Sequence, residues 1–120
     1  MTFAVENPKV YQKAVDFADE ILAATEQFPR GYGFLADQLN RAAVSIAANL
    51  AEGNGRFTKP DRRQFFGIAR GSIQECIPLL ELAARRQIID AEQHERSRAR
   101  LEELGRMLSG LINGLDQRAR

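Results

Sequence analysis

Gln38-Leu-Asn-Arg41-Ala-Ala-Val-Ser45-Ile-Ala-Ala-Asn49-Leu-Ala-Glu52-Gly53-Asn-Gly55-Arg56 decides the fold class, because its polar and apolar residues separate at helical spacing. Gln38, Arg41, Ser45, Asn49 and Glu52 are three, four, four and three apart, so they stack along one narrow face of a helix. Leu35, Leu39, Ala42, Ala43, Ile46 and Leu50 follow the same period on the adjoining face. A polar ladder therefore runs beside a core stripe. From Ala42 to Ala51 the segment is apolar or small almost all round, with Val44, Ala48 and Ala51 opposite the Leu39, Ile46 and Leu50 stripe. Such a helix is buried on more than one side. Either it is the central helix of a bundle, or its back face meets another subunit.

The flanking segments read as three further helices. Asn7-Pro8 is a helix start, asparagine capping free amides and proline fitting the first turn. That helix is expected over 8–27, with Val10, Ala14, Phe17, Ala18, Ile21 and Leu22 as its apolar stripe. Phe28-Pro29-Arg-Gly31-Tyr-Gly33 breaks it, and the second helix follows over 35–53. Gly53 reads as a left-handed terminator continued by Asn54-Gly55. As a phosphate loop Gly53-x-Gly55 is weak, since no strand precedes it and no Gly-Lys-Ser/Thr follows. Thr58-Lys-Pro-Asp61 opens the third helix, 58–86, with Phe65, Ala69, Ser72, Ile73, Cys76, Leu79, Leu80 and Ala83 as its core stripe. Pro78 predicts a kink there rather than two helices. Gly67 and Gly71 leave a groove for close approach of a neighbouring backbone. Asp90-Ala-Glu-Gln93 starts the fourth helix, 90–116, whose stripe is Leu101, Leu104, Met107 or Leu108, Leu111, Ile112 and Leu115, with a frayed tail after Asp116. Four amphipathic helices with short connections predict an all-α, antiparallel up-down-up-down four-helix bundle, a single domain over 1–120.

Composition narrows the function. The chain has 120 residues, 44% apolar and 28% charged, which suits one globular domain with a core of its own. A single cysteine makes no internal disulfide, no signal-peptide pattern precedes the first helix, and no apolar run approaches the ~18 residues of a membrane span. A cytoplasmic protein with no membrane association is expected. Net charge is only +1, but residues 56–86 carry 7 Lys/Arg against 3 Asp/Glu. Arg56, Lys59, Arg62, Arg63 and Arg70 form a basic island that can attract phosphate, although a charged helical face is commonly just solvated.

No reactive constellation stands out. Di-iron bundles need Glu-x-x-His pairs on two helices, whereas the one histidine, His94, has Ala91 three positions before it. His94 and Cys76 supply two of the four ligands of a zinc site. Cys76 reads as a small core residue and His94 as a first-turn surface residue. Ser45, Ser72 and Cys76 have no histidine placed as a base, and no metal or cofactor is expected. Glu52 and Glu75 form a conceivable carboxylate pair across the second and third helices, but Arg41 is the better companion. A buried arginine needs a carboxylate, because an unpaired buried charge is severely destabilising. Gln38, Arg41, Ser45, Asn49, Glu52, Ser72 and Glu75 are therefore expected to form a hydrogen-bonded network around a buried Arg41.

At Arg41-Ala-Ala-Val-Ser45-Ile-Ala-Ala-Asn49-Leu-Ala-Glu52-Gly53, followed by Phe65, Ile68-Ala-Arg70-Gly-Ser72 and Glu75, the chain resembles the bacterial 23S rRNA intervening-sequence proteins. The similarity runs from Val10 to Ile89, about two thirds of the chain. It implies a left-handed bundle, a ring of five subunits and no catalysis. A related set, the accessory proteins of diversity-generating retroelements, binds a reverse transcriptase and nucleic acid. Those proteins are strongly basic where this chain is nearly neutral, and Pro78 lies where the family continues an uninterrupted helix. The leading expectation is a non-catalytic oligomeric interaction module, partnered by protein, RNA or both. The alternative is an RNA or DNA binder, associated with rRNA or a reverse transcriptase, that acts through 56–70.

Overall fold

Breaks over 26–32, 55–58 and 86–90, the last without proline or glycine, divide the chain into four helices. The computed structural model describes residues 8–117, which form α1 (Pro8–Thr25), α2 (Gly33–Asn54), α3 (Lys59–Arg85) and α4 (Ala91–Gln117). Each helix packs on the next, and α1 closes against α4. The result is an all-α four-helix bundle in which α2–α3 is the broadest seam and α1–α4 the slightest. The expected Asn7 cap and the tail after Gln117 lie outside the described residues.

Local chemistry sets the helix ends. Thr58 Oγ1 accepts the Asp61 amide at 3.2 Å, and Asp90 Oδ1 accepts the Gln93 amide at 2.7 Å, so α3 and α4 both carry side-chain caps. α1 stops at Thr25, two residues earlier than expected, where the hydroxyl lies 2.7 Å from Asn40 Oδ1 and ties the helix end to α2. α3 runs through Pro78 as one continuous helix. Gln87, at φ 60, turns the chain from α3 into α4.

The periodicity places the core well, with three exceptions in the stripes, one of them Leu111, which is only half-buried. The whole inner stripe of α2 is buried, as are Val10, Ala14, Phe17, Ala18 and Ile21 of α1 and Leu101, Leu104, Leu108, Ile112 and Leu115 of α4. Leu22 is exposed instead, since it lies beyond the edge of the α1 stripe. In α3 the core aromatic is Phe66, not Phe65, which is only half-buried. Phe66, Ala69, Ile73, Cys76, Leu80 and Ala83 alternate three and four apart, the spacing that keeps a helix on its neighbours.

Gly53 has a different role from the one expected. It sits inside α2, buried, and the helix is closed by Gly55 in a right-handed conformation, with φ −88°. A Cβ on Gly53 would come within 2.5 Å of the Phe66 ring. Glycine here gives Phe66 its place in the α2–α3 seam. Gly67 and Gly71 meet nothing within 4 Å, so the close approach expected of them does not occur among the described residues.

Candidate functional site

The polar ladder lies at the mouth of the α2–α3 seam, where it divides into bonded and unbonded residues. Asn49 Nδ2 donates to the Ser45 carbonyl at 2.9 Å and to Ser45 Oγ at 3.0 Å. Ser72 Oγ from α3 lies 2.8 Å from Ser45 Oγ and 3.1 Å from the Ile68 carbonyl. Each hydroxyl carries one proton, so the Ser72 proton serves one of those acceptors at a time. Asn49, Ser45 and Ser72 thus form a short chain of hydrogen bonds that joins the two helices.

The remaining ladder residues do not join it. Glu52 turns along its own helix to Arg56, 3.1 Å away, and both are exposed. Gln38, Arg41 and Glu75 are also exposed, and none makes a hydrogen bond or ion pair among the described residues. Arg41 is therefore not the buried centre of a network. Its line on α2 faces the groove mouth, where water solvates the guanidinium without a carboxylate. The carboxylate-pair reading lapses for the same reason. Glu75 shares the groove with Ala42, and Glu52 lies ten residues further on, ~15 Å along the helix.

The groove is an open cleft of about 510 Å³ lined by Phe34, Gln38, Arg41, Ser45, Ser72 and Glu75, with Asp37 and Ala42 beside them. A second, shallower hollow of about 560 Å³ runs along α2 and shares Asp37, Arg41 and Ser45 with it. Phe34 lines the first and Val44 the second, and α3 exposes two further apolar side chains. Phe34 is 62% exposed and Leu82 50%, and Val44 and Ile68 are exposed as well.

The basic island sits around the α2–α3 turn. The Arg56 guanidinium covers the Phe65 ring at 4.6 Å, and Arg62 Nε donates to the Arg56 carbonyl at 2.8 Å. Lys59 and Arg62 are half-exposed and Arg63 exposed in the first turns of α3. Arg70 is exposed seven residues beyond Arg63, ~10 Å further along the helix.

The reactive side chains of the described residues are not assembled for chemistry. Cys76 is buried, and burial, with the nearby Glu75 charge second, pushes its thiol up to about 12. At neutral pH it is a protonated core residue. His94 is half-buried rather than a surface residue, with Nε2 shielded from solvent.

No curated protein matches the sequence. A crystal structure of a protein of unknown function from the S23 ribosomal protein family of Bacteroides thetaiotaomicron superposes with a TM-score of 0.81. It is 26% identical to this chain, and the match covers 86% of this chain and 97% of that one. The profile of the 23S rRNA-intervening sequence protein family matches residues 6–110, a span that includes the ladder, the α2–α3 turn and most of α4. With nearly the whole bundle matched, the chain belongs to the 23S rRNA-intervening sequence protein family.

Proposed function

We propose that this protein is a non-catalytic interaction module that assembles with copies of itself through the outer face of α2 and α3. The observation that carries this reading is that α2 and α3 expose the apolar side chains Phe34, Val44, Ile68 and Leu82, and that Arg41 and Glu75, in the cleft Phe34 lines, are unpaired among the described residues. Apolar surface gathered around polar groups is what an interface between subunits needs. Opposite charges on one face allow Arg41 of one copy to meet Glu75 or Asp37 of the next. Five copies is the number implied by the resemblance, and a head-to-tail contact that closes a ring suits it.

Sedimentation of the purified protein at micromolar concentration tests the proposal. A ring of five would sediment at about 67 kDa, five times the 13.4 kDa chain. Ile68→Asp with Leu82→Asp should return it to the monomer mass with its helix content unchanged. A wild-type protein that stays monomeric at every concentration overturns the reading.

A second reading, backbone-directed nucleic-acid binding, is favoured by Arg56, Lys59, Arg62 and Arg63 gathered at one end of the bundle. Binding of that kind weakens steeply with salt. It should be lost in Arg62→Glu with Arg63→Glu. Failure to bind RNA or DNA at low salt would remove it.

A further inference from the structure

At the turn between α2 and α3, Phe57 is 100% exposed. A phenylalanine that buries none of its ring contributes nothing to the core, and its neighbours hold it in that position. On one side, the Arg56 amide donates to the Gly53 carbonyl at 3.2 Å and the Arg56 guanidinium covers Phe65. The Arg56 carbonyl, the last acceptor before Phe57, takes the Arg62 Nε hydrogen bond at 2.8 Å. On the other side, Thr58 is fixed as the cap of α3. The backbone on both sides of Phe57 is thus tied down, and the ring projects from it into solvent. Around it, residues 56–63 hold Arg56, Lys59, Arg62 and Arg63 against the single acid Asp61.

We propose that this turn is a binding site for single-stranded nucleic acid, with Phe57 stacking on an unpaired base and the surrounding cations meeting the flanking phosphates. The proposal rests on the nucleic-acid reading above and names the form of nucleic acid that the tip accepts. An exposed aromatic ring offers a face to any unpaired base, whereas the bases of a duplex are stacked on one another and closed to it. Cations beside the ring track the backbone, which supplies affinity without reading sequence. With the backbone on both sides already tied down, binding has mainly the side-chain torsions of Phe57 left to order. The other surface that attracts cations with an aromatic is an anionic membrane. Even a whole acyl chain on its own binds a membrane only marginally, one phenylalanine inserts far less apolar surface, and Phe65, the other ring at this tip, is covered by Arg56.

Fluorescence anisotropy with labelled oligouridylate, oligodeoxythymidylate and a duplex of equal length tests the proposal, with phosphatidylserine vesicles as a separate arm. Both single strands should bind more tightly than the duplex at low salt. Phe57→Ala should weaken single-strand binding by between about five- and a hundredfold, the loss of one stacked base. Phe57→Tyr should restore it, and duplex binding should not change in either variant. Because the ring touches nothing in the bundle, circular dichroism should show both variants folded as the wild type. If Phe57→Ala binds single strands as tightly as the wild type while Arg62→Glu with Arg63→Glu binds nothing, stacking is refuted and backbone-directed binding stands. Absence of binding to all three oligonucleotides refutes both. Binding to vesicles alone overturns the proposal and assigns the ring to a membrane surface.

Discussion

The inner face of α2 is apolar and its outer face polar, and only the inner one is fully partnered among the described residues. On the inner face, Leu35, Leu39, Ala42, Ala43, Ile46, Leu50 and Gly53 are all buried, and each meets the other helices. On the outer face, Ser45 and Asn49 find partners, while Gln38 and Arg41 project into an open cleft. Apolar burial has one solution for a helix of given period, because any rotation exposes the stripe to water. A line of polar groups at a groove mouth has several, since water satisfies each of them as well as a neighbour does. The inner face therefore fixes the fold and leaves the outer face available to a partner.

Breaking the inner face should have the largest effect. Phe66→Ala empties a fully buried ring site in the α2–α3 seam and should cost about 3 to 5 kcal/mol, read as a large fall in the denaturant midpoint. Gly53→Ala attacks the same seam from the other side. Its new methyl group would overlap the Phe66 ring and should cost about 1 to 3 kcal/mol, despite the better helix propensity of alanine. Combining it with Phe66→Leu should recover part of the loss relative to the sum of the two single changes. Strict additivity in that cycle would show that the glycine and the ring do not share space.

The border between the faces is gentler. Ser72→Ala removes the hydroxyl that joins α3 to Ser45 and should cost about 1 kcal/mol, since Asn49 continues to serve Ser45. The buried thiol gives the mildest effect, visible only in alkali. Cys76 has its folded pKa raised from 9.0 to about 12, so the folded state prefers the protonated thiol. Its contribution is complete below about pH 9 and is lost as pH climbs from there through about 12. Wild type should therefore lose stability over that window relative to Cys76→Ala, and native protein at neutral pH should resist thiol-labelling reagents until it is unfolded.

The four helices, the cap at Thr58, the start at Asp90 and nearly all of the core were legible in the sequence, because periodicity and capping are local signals. Phe65 and Phe66 show where local reading reached its limit. Adjacent aromatics both fit a helical stripe loosely, and only the strict three-four alternation through Ala69, Ile73 and Cys76 selects Phe66. Gly53 read as a terminator, while close contact was expected of Gly67 and Gly71, and the ring that corrects this comes from another helix thirteen residues away. Arg41 was misplaced for a related reason. Its spacing with Ser45 and Asn49 gave the correct face, but spacing does not say how deep that face lies, and burial decides whether an arginine needs a carboxylate. Phe57 drew no attention because a lone aromatic in a turn has no period to reveal it.

The central claim is that the outer half of the ladder acts between chains and not within one. Thermal unfolding of wild type and Arg41→Ala across a series of protein concentrations tests it most directly. Self-assembly should make the wild-type Tm rise with concentration. Arg41→Ala should flatten that rise and, at the dilute end, match the wild type within about 0.5 kcal/mol, as an exposed residue without partners should. A wild-type Tm independent of concentration, or an Arg41→Ala protein that loses about 3 to 5 kcal/mol even when dilute, would contradict the account.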